Sequence, residues 1–148
     1  VSGKANDPEA ELLGLIDRYG WAVRHVMKTP GINGPAFSYT IGLTAMGHPE
    51  VVVTGLPFDV AQSFLNLVGA IVKEGRTVAA GWQTDEFTEG GVVLFIEVTD
   101  TSGLTAVAEV YGTVRAVQLV WPDSSDRFPW EDGHSNAPDV QPLLGPRP

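Results

Sequence analysis

The sequence predicts an α+β domain. Its expected form is a mostly antiparallel sheet of about five or six strands, free to curl, packed with two main helices and wrapped by an aromatic, proline-rich C-terminal segment. Three observations point there. Period-two alternation recurs in short stretches around Trp21–Met27, Phe37–Leu43 and Thr113–Trp121. The run Val51-Val52-Val53 requires cover on both faces of its strand, which makes that strand central. A long amphipathic helical pattern over about Phe58–Glu74 can supply the cover on one side.

The chain has 148 residues. That suffices for one core burying roughly 70% of the surface the unfolded chain exposes, so residues 1–148 are read as a single domain. Residues 1–7 form a loose lead-in and 122–148 an extended tail packed on the domain. Hydrophobic residues make up 43% and charged residues 18%, which excludes a disordered chain, and the apolar runs are too short to span a bilayer. The formal charge of −9 and the pI near 4.6 oppose binding to nucleic acid or anionic lipid, since basic clusters are missing. No charged-then-apolar leader opens the sequence and cysteine is absent, so a cytoplasmic location is expected.

Asp7-Pro8 starts a helix, and Leu12, Leu15, Ile16 and Tyr19 continue it as one buried stripe until Gly20 stops it. From Trp21 the period is two, with Trp21, Val23, His25 and Met27 on one side. His25 therefore points inward, either as a hydrogen-bonded core histidine or toward a pocket. Thr29–Pro35 is a turn-rich loop. Phe37, Tyr39, Ile41 and Leu43 then alternate with Ser38, Thr40 and Gly42, and a polar turn from Thr44 to Pro49 leads into Glu50 and the valine triple.

In the long helix, Val60, Ala61, Phe64, Leu67, Val68, Ile71 and Val72 form the apolar face. Phe64→Ala should cost on the order of 3 to 5 kcal/mol if Phe64 is core. Arg76–Ala80 reads as a short strand, Gly81–Gly91 as an acidic connection, and Val92–Val98 as a clear strand. A short helix follows Ser102, with strand as the alternative, and Thr113–Trp121 returns to strand with Gln118 polar on an apolar face. Six of the eleven prolines fall in the last 27 residues, which disfavours regular structure there; Trp121, Phe128 and Trp130 argue for packing rather than disorder.

Several motifs occur together: Tyr19-Gly20-Trp21, Phe37-x-Tyr39-Thr40-x-Gly42-Leu43, His48-Pro49-Glu50, Gly55, Gln118, Trp121-Pro122-Asp123, Phe128-Pro129-Trp130 and Gln141-Pro142-x-x-Gly145. In combination, over about Leu12–Gly145, the chain resembles the bacterial family known as domain of unknown function 4262. The resemblance implies membership but brings no established activity.

Chemistry must therefore be read from the residues. His48 and Glu50 put an imidazole and a carboxylate at a strand entrance beside Tyr39, which suits general acid and base roles if the groups converge. The other reading is an ordinary polar turn. Thr40, His25, Gln118, Trp121, Asp123 and Trp130 are the candidate ligand-binding residues. The tail aromatics serve either as pocket walls or as a clasp that pins the tail. His25, His48, His134, Glu50 and Asp123 lack metal-ligand spacing, so no metal is assigned, and no sequence feature names a cofactor. Ser38 has no identifiable base, and both nucleophile-elbow and phosphate-loop motifs are missing.

Two functions of different class follow. One is a small domain that binds or transforms a small molecule near the His48-Pro49-Glu50 turn. The other is a non-catalytic module that docks a protein partner, or a second copy of itself, through its acidic surface and aromatic C-terminal segment.

Overall fold

Backbone hydrogen bonding joins six strands into one open mixed sheet. The computed structural model describes residues 8–27, 36–88, 91–137 and 139–148. The Asp7 cap, the lead-in and the Thr29–Pro35 turn lie outside them. In chain order the elements are α1 (Pro8–Tyr19), β1 (Ala22–Val26), β2 (Phe37–Ile41), a 3-10 turn (Leu43–Met46), β3 (Glu50–Thr54), α2 (Phe58–Lys73), β4 (Gln83–Thr84), β5 (Val93–Glu97), α3 (Thr105–Tyr111) and β6 (Ala116–Val120).

The strand order is β1-β2-β3-β6-β5-β4. Only β3 and β6 run parallel among these pairs; the others are antiparallel. Parallel strands need a long crossover, and here it carries α2, β4, β5 and α3. The valine triple lies on β3, inside the sheet, with Val51 and Val52 at 0% exposure. Val51 and Val53 join the core on one face, and Val52 joins the core on the other. A strand buried on both faces needs apolar residues in succession, which is why alternation is lost there.

On the first face, α2 packs Ala61, Leu65, Val68 and Val72 against Val51, Val53, Val117, Leu119 and Phe95. The second face carries two clusters. Leu12 of α1 and Val107 of α3 cover Tyr39, Ile41 and Val52. Beyond them Phe128, Trp130 and Leu143 lie with Leu94, Ile96 and Val120. Among the described residues no helix is long and apolar enough to cross a membrane.

Four details differ from the sequence reading. Arg76–Ala80 is not a strand; the short strand is Gln83–Thr84, inside the stretch expected to be a connection, and is held by pairing with β5. On α1, Leu15 and Tyr19 are exposed, so its buried stripe is narrower. Met27, just past the end of β1, is 73% exposed, although its spacing places it with the inward set. On α2, Leu65 is fully buried, whereas Val60 and Leu67 are exposed and Phe64 is half-buried. Leu65→Ala should therefore lower the unfolding free energy by about 3 kcal/mol, well above the loss from Phe64→Ala. Urea titrations of both variants check the order.

Candidate functional site

The polar turn expected to carry chemistry is spent on the backbone. Glu50 opens β3 at 0% exposure. Its Oε1 accepts from the Thr40 hydroxyl (2.8 Å) and the Leu43 N–H (3.1 Å). Its Oε2 accepts from the Gly42 N–H (3.1 Å), the Thr44 N–H (2.9 Å) and the Thr44 hydroxyl (2.6 Å). The first N–H groups of a helical turn have no partner within it. Gly42 offers no side-chain cap to the 3-10 turn, and Glu50 fills that role from behind. Thr40 relays the arrangement to β3 by accepting the Val51 N–H at 2.9 Å.

His48 is also buried, and its Nε2 accepts the Val78 N–H at 2.9 Å. An imidazole nitrogen that accepts an N–H carries no proton, so the proton sits on Nδ1, which donates to the Pro49 carbonyl at 2.7 Å. Tyr39 points into the opposite face, where its hydroxyl oxygen accepts the Ala106 N–H (3.2 Å) at the uncapped start of α3. The other end of α3 carries Tyr111, whose phenol is pushed up by burial and by the negative charge of Glu50. His48, Glu50 and Tyr39 thus make no hydrogen bond to one another and have their polar atoms occupied by backbone or by Thr40 and Thr44.

Gln118 and Trp121 fasten the C-terminal segment. Gln118 Nε2 donates to Thr54 Oγ1 (3.2 Å) and to the Pro142 carbonyl (3.0 Å), while its Oε1 accepts the Leu144 N–H (2.8 Å). The Trp121 indole donates to the Thr54 carbonyl at 2.9 Å. Gln141 pairs with the Trp121 backbone in both directions, as a strand residue would (2.9 and 2.8 Å). Close approach of Gly145 to the Glu97 carbonyl, and of Gly55 to the Val140 carbonyl, leaves no room for a Cβ at either position. Sequence reasoning did not single out Thr54 or Gln141 for this network.

Asp123 organises the loop after Trp121. Oδ1 accepts from the Ser125 and Arg127 N–H groups (2.8 and 3.0 Å), and Oδ2 accepts from the N–H and hydroxyl of Ser135 (2.7 and 2.9 Å). The Arg127 amide, then the Ser135 amide, hold this carboxyl well below the usual carboxylate range despite its burial. A depressed folded-state pKa gives stability that is complete above the ordinary value of about 4 and is lost as pH falls toward the depressed one. Asp123→Asn should therefore melt below the wild type at pH 7, with the gap narrowing as pH falls below about 4. Paired thermal melts along a pH series check the sign. Trp130 stacks on Phe128 with 5.2 Å between ring centroids, within the cluster on the second face.

His25 alone among the predicted residues belongs to a side-chain chain that reaches a recess. The β1–β2 register sets His25 opposite Ser38, and their Nδ1 and Oγ lie 2.6 Å apart. His25 Nε2 lies 2.9 Å from Gln62 Oε1 on α2. Gln62 Nε2 donates to Asn66 Oδ1 (3.2 Å), which also accepts the Trp21 indole N–H (3.2 Å). Ser38 thus has a base-like neighbour that sequence reasoning missed. With Ser38 at 1% exposure, however, its hydroxyl is shut off from any substrate and the contact is a fastener rather than a nucleophile pair.

Trp21, Gln62 and Asn66 line an open groove of about 580 Å³ at the edge strand β1. Residues from α1 and α2 flank it, including Tyr19 and Lys73, and both Ala22 and Val23 of β1 reach it. Gly69, in mid-helix, leaves the room that the Trp21 indole fills, since a Cβ there would overlap the ring. Among the described residues no group of three or more His, Asp or Glu is placed to hold a metal ion.

Fold and geometry together define an α+β domain with an open mixed sheet, tightly fastened polar turns and a groove beside an edge strand. The chain belongs to the family described as Domain of unknown function (DUF4262), whose model matches residues 15–135. Neither a curated protein nor a solved structure matches it.

Proposed function

We propose that this chain is a cytoplasmic small-molecule-binding domain whose ligand lies in the groove at β1, between α1 and α2. One observation carries the reading: the relay Ser38–His25–Gln62–Asn66 runs from the buried Ser38 to the exposed Asn66 at that recess and orients the polar groups on its wall. A volume of about 580 Å³, with apolar and aromatic walls and a few fixed polar groups, suits a metabolite-sized ligand. The reading moves the site away from His48, Glu50 and Tyr39, whose hydrogen-bonding atoms are occupied, and keeps His25 in it as a positioning residue. Gln118, Trp121, Asp123 and Trp130 act as clasps for the C-terminal segment.

A metabolite library screened by thermal shift, with hits mapped by amide and indole NMR, tests the proposal. Hits that move the Trp21 indole resonance support it. Hits that map to the His48 turn, or a library with no hit at all, count against it.

The second reading, a protein-interaction module, is favoured by a shallow apolar recess of about 310 Å³ where Val60 and Leu67 of α2 are exposed beside Phe64 and Phe87. On this geometry the docking surface is α2 rather than the aromatic tail, whose Phe128 is buried.

A further inference from the structure

We propose that the groove takes an elongated organic acid, with its carboxylate at Lys73 and an uncharged acceptor such as a carbonyl at Asn66. The inference rests on the groove reading above and names the ligand class for it.

One obligate donor decides the polarity of the whole wall. An indole N–H can only donate, so the Asn66 atom 3.2 Å from it is the oxygen. The Gln62 atom facing that oxygen must then be the amide nitrogen, which turns Gln62 Oε1 toward His25 Nε2. His25 therefore holds a proton on Nε2, and in the neutral ring Nδ1 accepts the Ser38 hydroxyl at 2.6 Å. Every donor in the relay runs toward Asn66 Oδ1, which accepts twice. Asn66 Nδ2 keeps both N–H groups with no partner among the described residues.

Among the described residues lining the groove, Lys73 is the one charged side chain. Its Nζ donates at 3.4 Å to the Tyr19 carbonyl, and no carboxylate lies within 4.0 Å of it among the described residues. Seven residues separate Asn66 from Lys73, a rise of about 10 Å along α2. Between them lies the seat where the Trp21 ring rests on Gly69. The wall thus reads donor, apolar, cation, and its complement reads acceptor, apolar, anion. A cationic ligand would meet Lys73, with no carboxylate among the described lining residues to receive it.

Three probes of one shape separate the classes: 3-(4-acetylphenyl)propanoate, its neutral amide 3-(4-acetylphenyl)propanamide, and the cation 3-(4-acetylphenyl)propylamine. Titrations are followed on the Trp21 indole and the Asn66 side-chain amide resonances. The acid should move both and bind at least about tenfold more tightly than the neutral amide. Lys73→Met should weaken the acid at least about fivefold, leave the neutral amide unchanged, and abolish the salt dependence of acid binding. Asn66→Asp, which keeps the acceptor for Trp21 and Gln62 but replaces the two donors with a negative charge, should weaken both acid and amide, the acid more because it is also repelled.

Equal or tighter binding of the neutral amide or the cation at these resonances overturns the ligand class and leaves the groove reading standing. If none of the three moves either resonance the inference fails, and the groove reading falls with it only when the wider library is silent as well.

Discussion

Glu50→Gln should destabilise the domain by about 3 to 5 kcal/mol, although it is nearly isosteric and removes a charge from a buried position. The reason is the donor count around the carboxylate. Oε1 faces the Leu43 N–H and the Thr40 hydroxyl, and Oε2 faces the Gly42 and Thr44 N–H groups and the Thr44 hydroxyl. Hydroxyls can rotate to accept, but a backbone N–H cannot. Whichever way the glutamine amide is turned, its NH2 meets at least one backbone donor at about 3 Å, so a hydrogen bond becomes a repulsive contact at a fully buried side chain. Glu50→Ala removes the repulsion but leaves three backbone N–H groups without this partner and opens a void, so its loss should be at least as large. Urea unfolding of both variants measures this. A Glu50→Gln protein that melts within a degree of wild type, yet loses whatever ligand or activity is found, would return Glu50 to the role of a general acid or base.

Glu50 also shows what the sequence conveyed and what it hid. The His48-Pro49-Glu50 turn was legible as polar and as the entrance to a central strand, and the valine triple placed that strand correctly, because burial on both faces leaves a mark in sequence. The donors that consume the carboxylate come from residues 40 to 44, six to ten positions earlier, and a carboxylate capping a turn from behind leaves no such mark. Helix α2 lies where the sequence places it, and the apolar face read there includes Ala61, Val68 and Val72 but misses the fully buried Leu65. Its strips Val60-Phe64-Leu67-Ile71 and Ala61-Leu65-Val68-Val72 are both apolar, and only the sheet decides which is covered. The two-residue β4 has no periodicity to detect, since pairing with β5 alone makes it a strand. Ser38 and His25 lie thirteen residues apart, and their contact depends on a hairpin register that a turn-rich loop does not fix. The groove belongs to three elements meeting at an edge, so no local pattern announces it.

Gln118→Leu is the second change expected to be severe, with a loss of about 2 to 4 kcal/mol at neutral pH. Gln118 is fully buried on the second face of β6, and its amide makes three bonds, two of them to the backbone of the C-terminal segment. Leucine fits the volume but leaves the Leu144 N–H and the Pro142 carbonyl without this partner, and a buried group left unpaired costs more than the bond gained by pairing it. Limited proteolysis should cut within 139–148 in this variant before the sheet unfolds.

Gln118→Glu separates the acceptor half of the role from the donor half. The new side chain still accepts the Leu144 N–H, but as an anion it turns a negative oxygen toward the Pro142 carbonyl, and as a neutral acid it can donate there. Its folded-state pKa must therefore lie above the unfolded value of about 4.3, because burial and the carbonyl both oppose the charge. The sign then follows from linkage. Below about pH 4 the proton is held in both states and the variant should approach wild type. As pH rises, the unfolded chain releases the proton first, so the gap in stability widens until the folded pKa is passed. A gap that stays constant from pH 4 to 8 would mean that the Gln118 amide nitrogen contributes nothing and that the C-terminal segment is held by Trp121 and Gln141 alone.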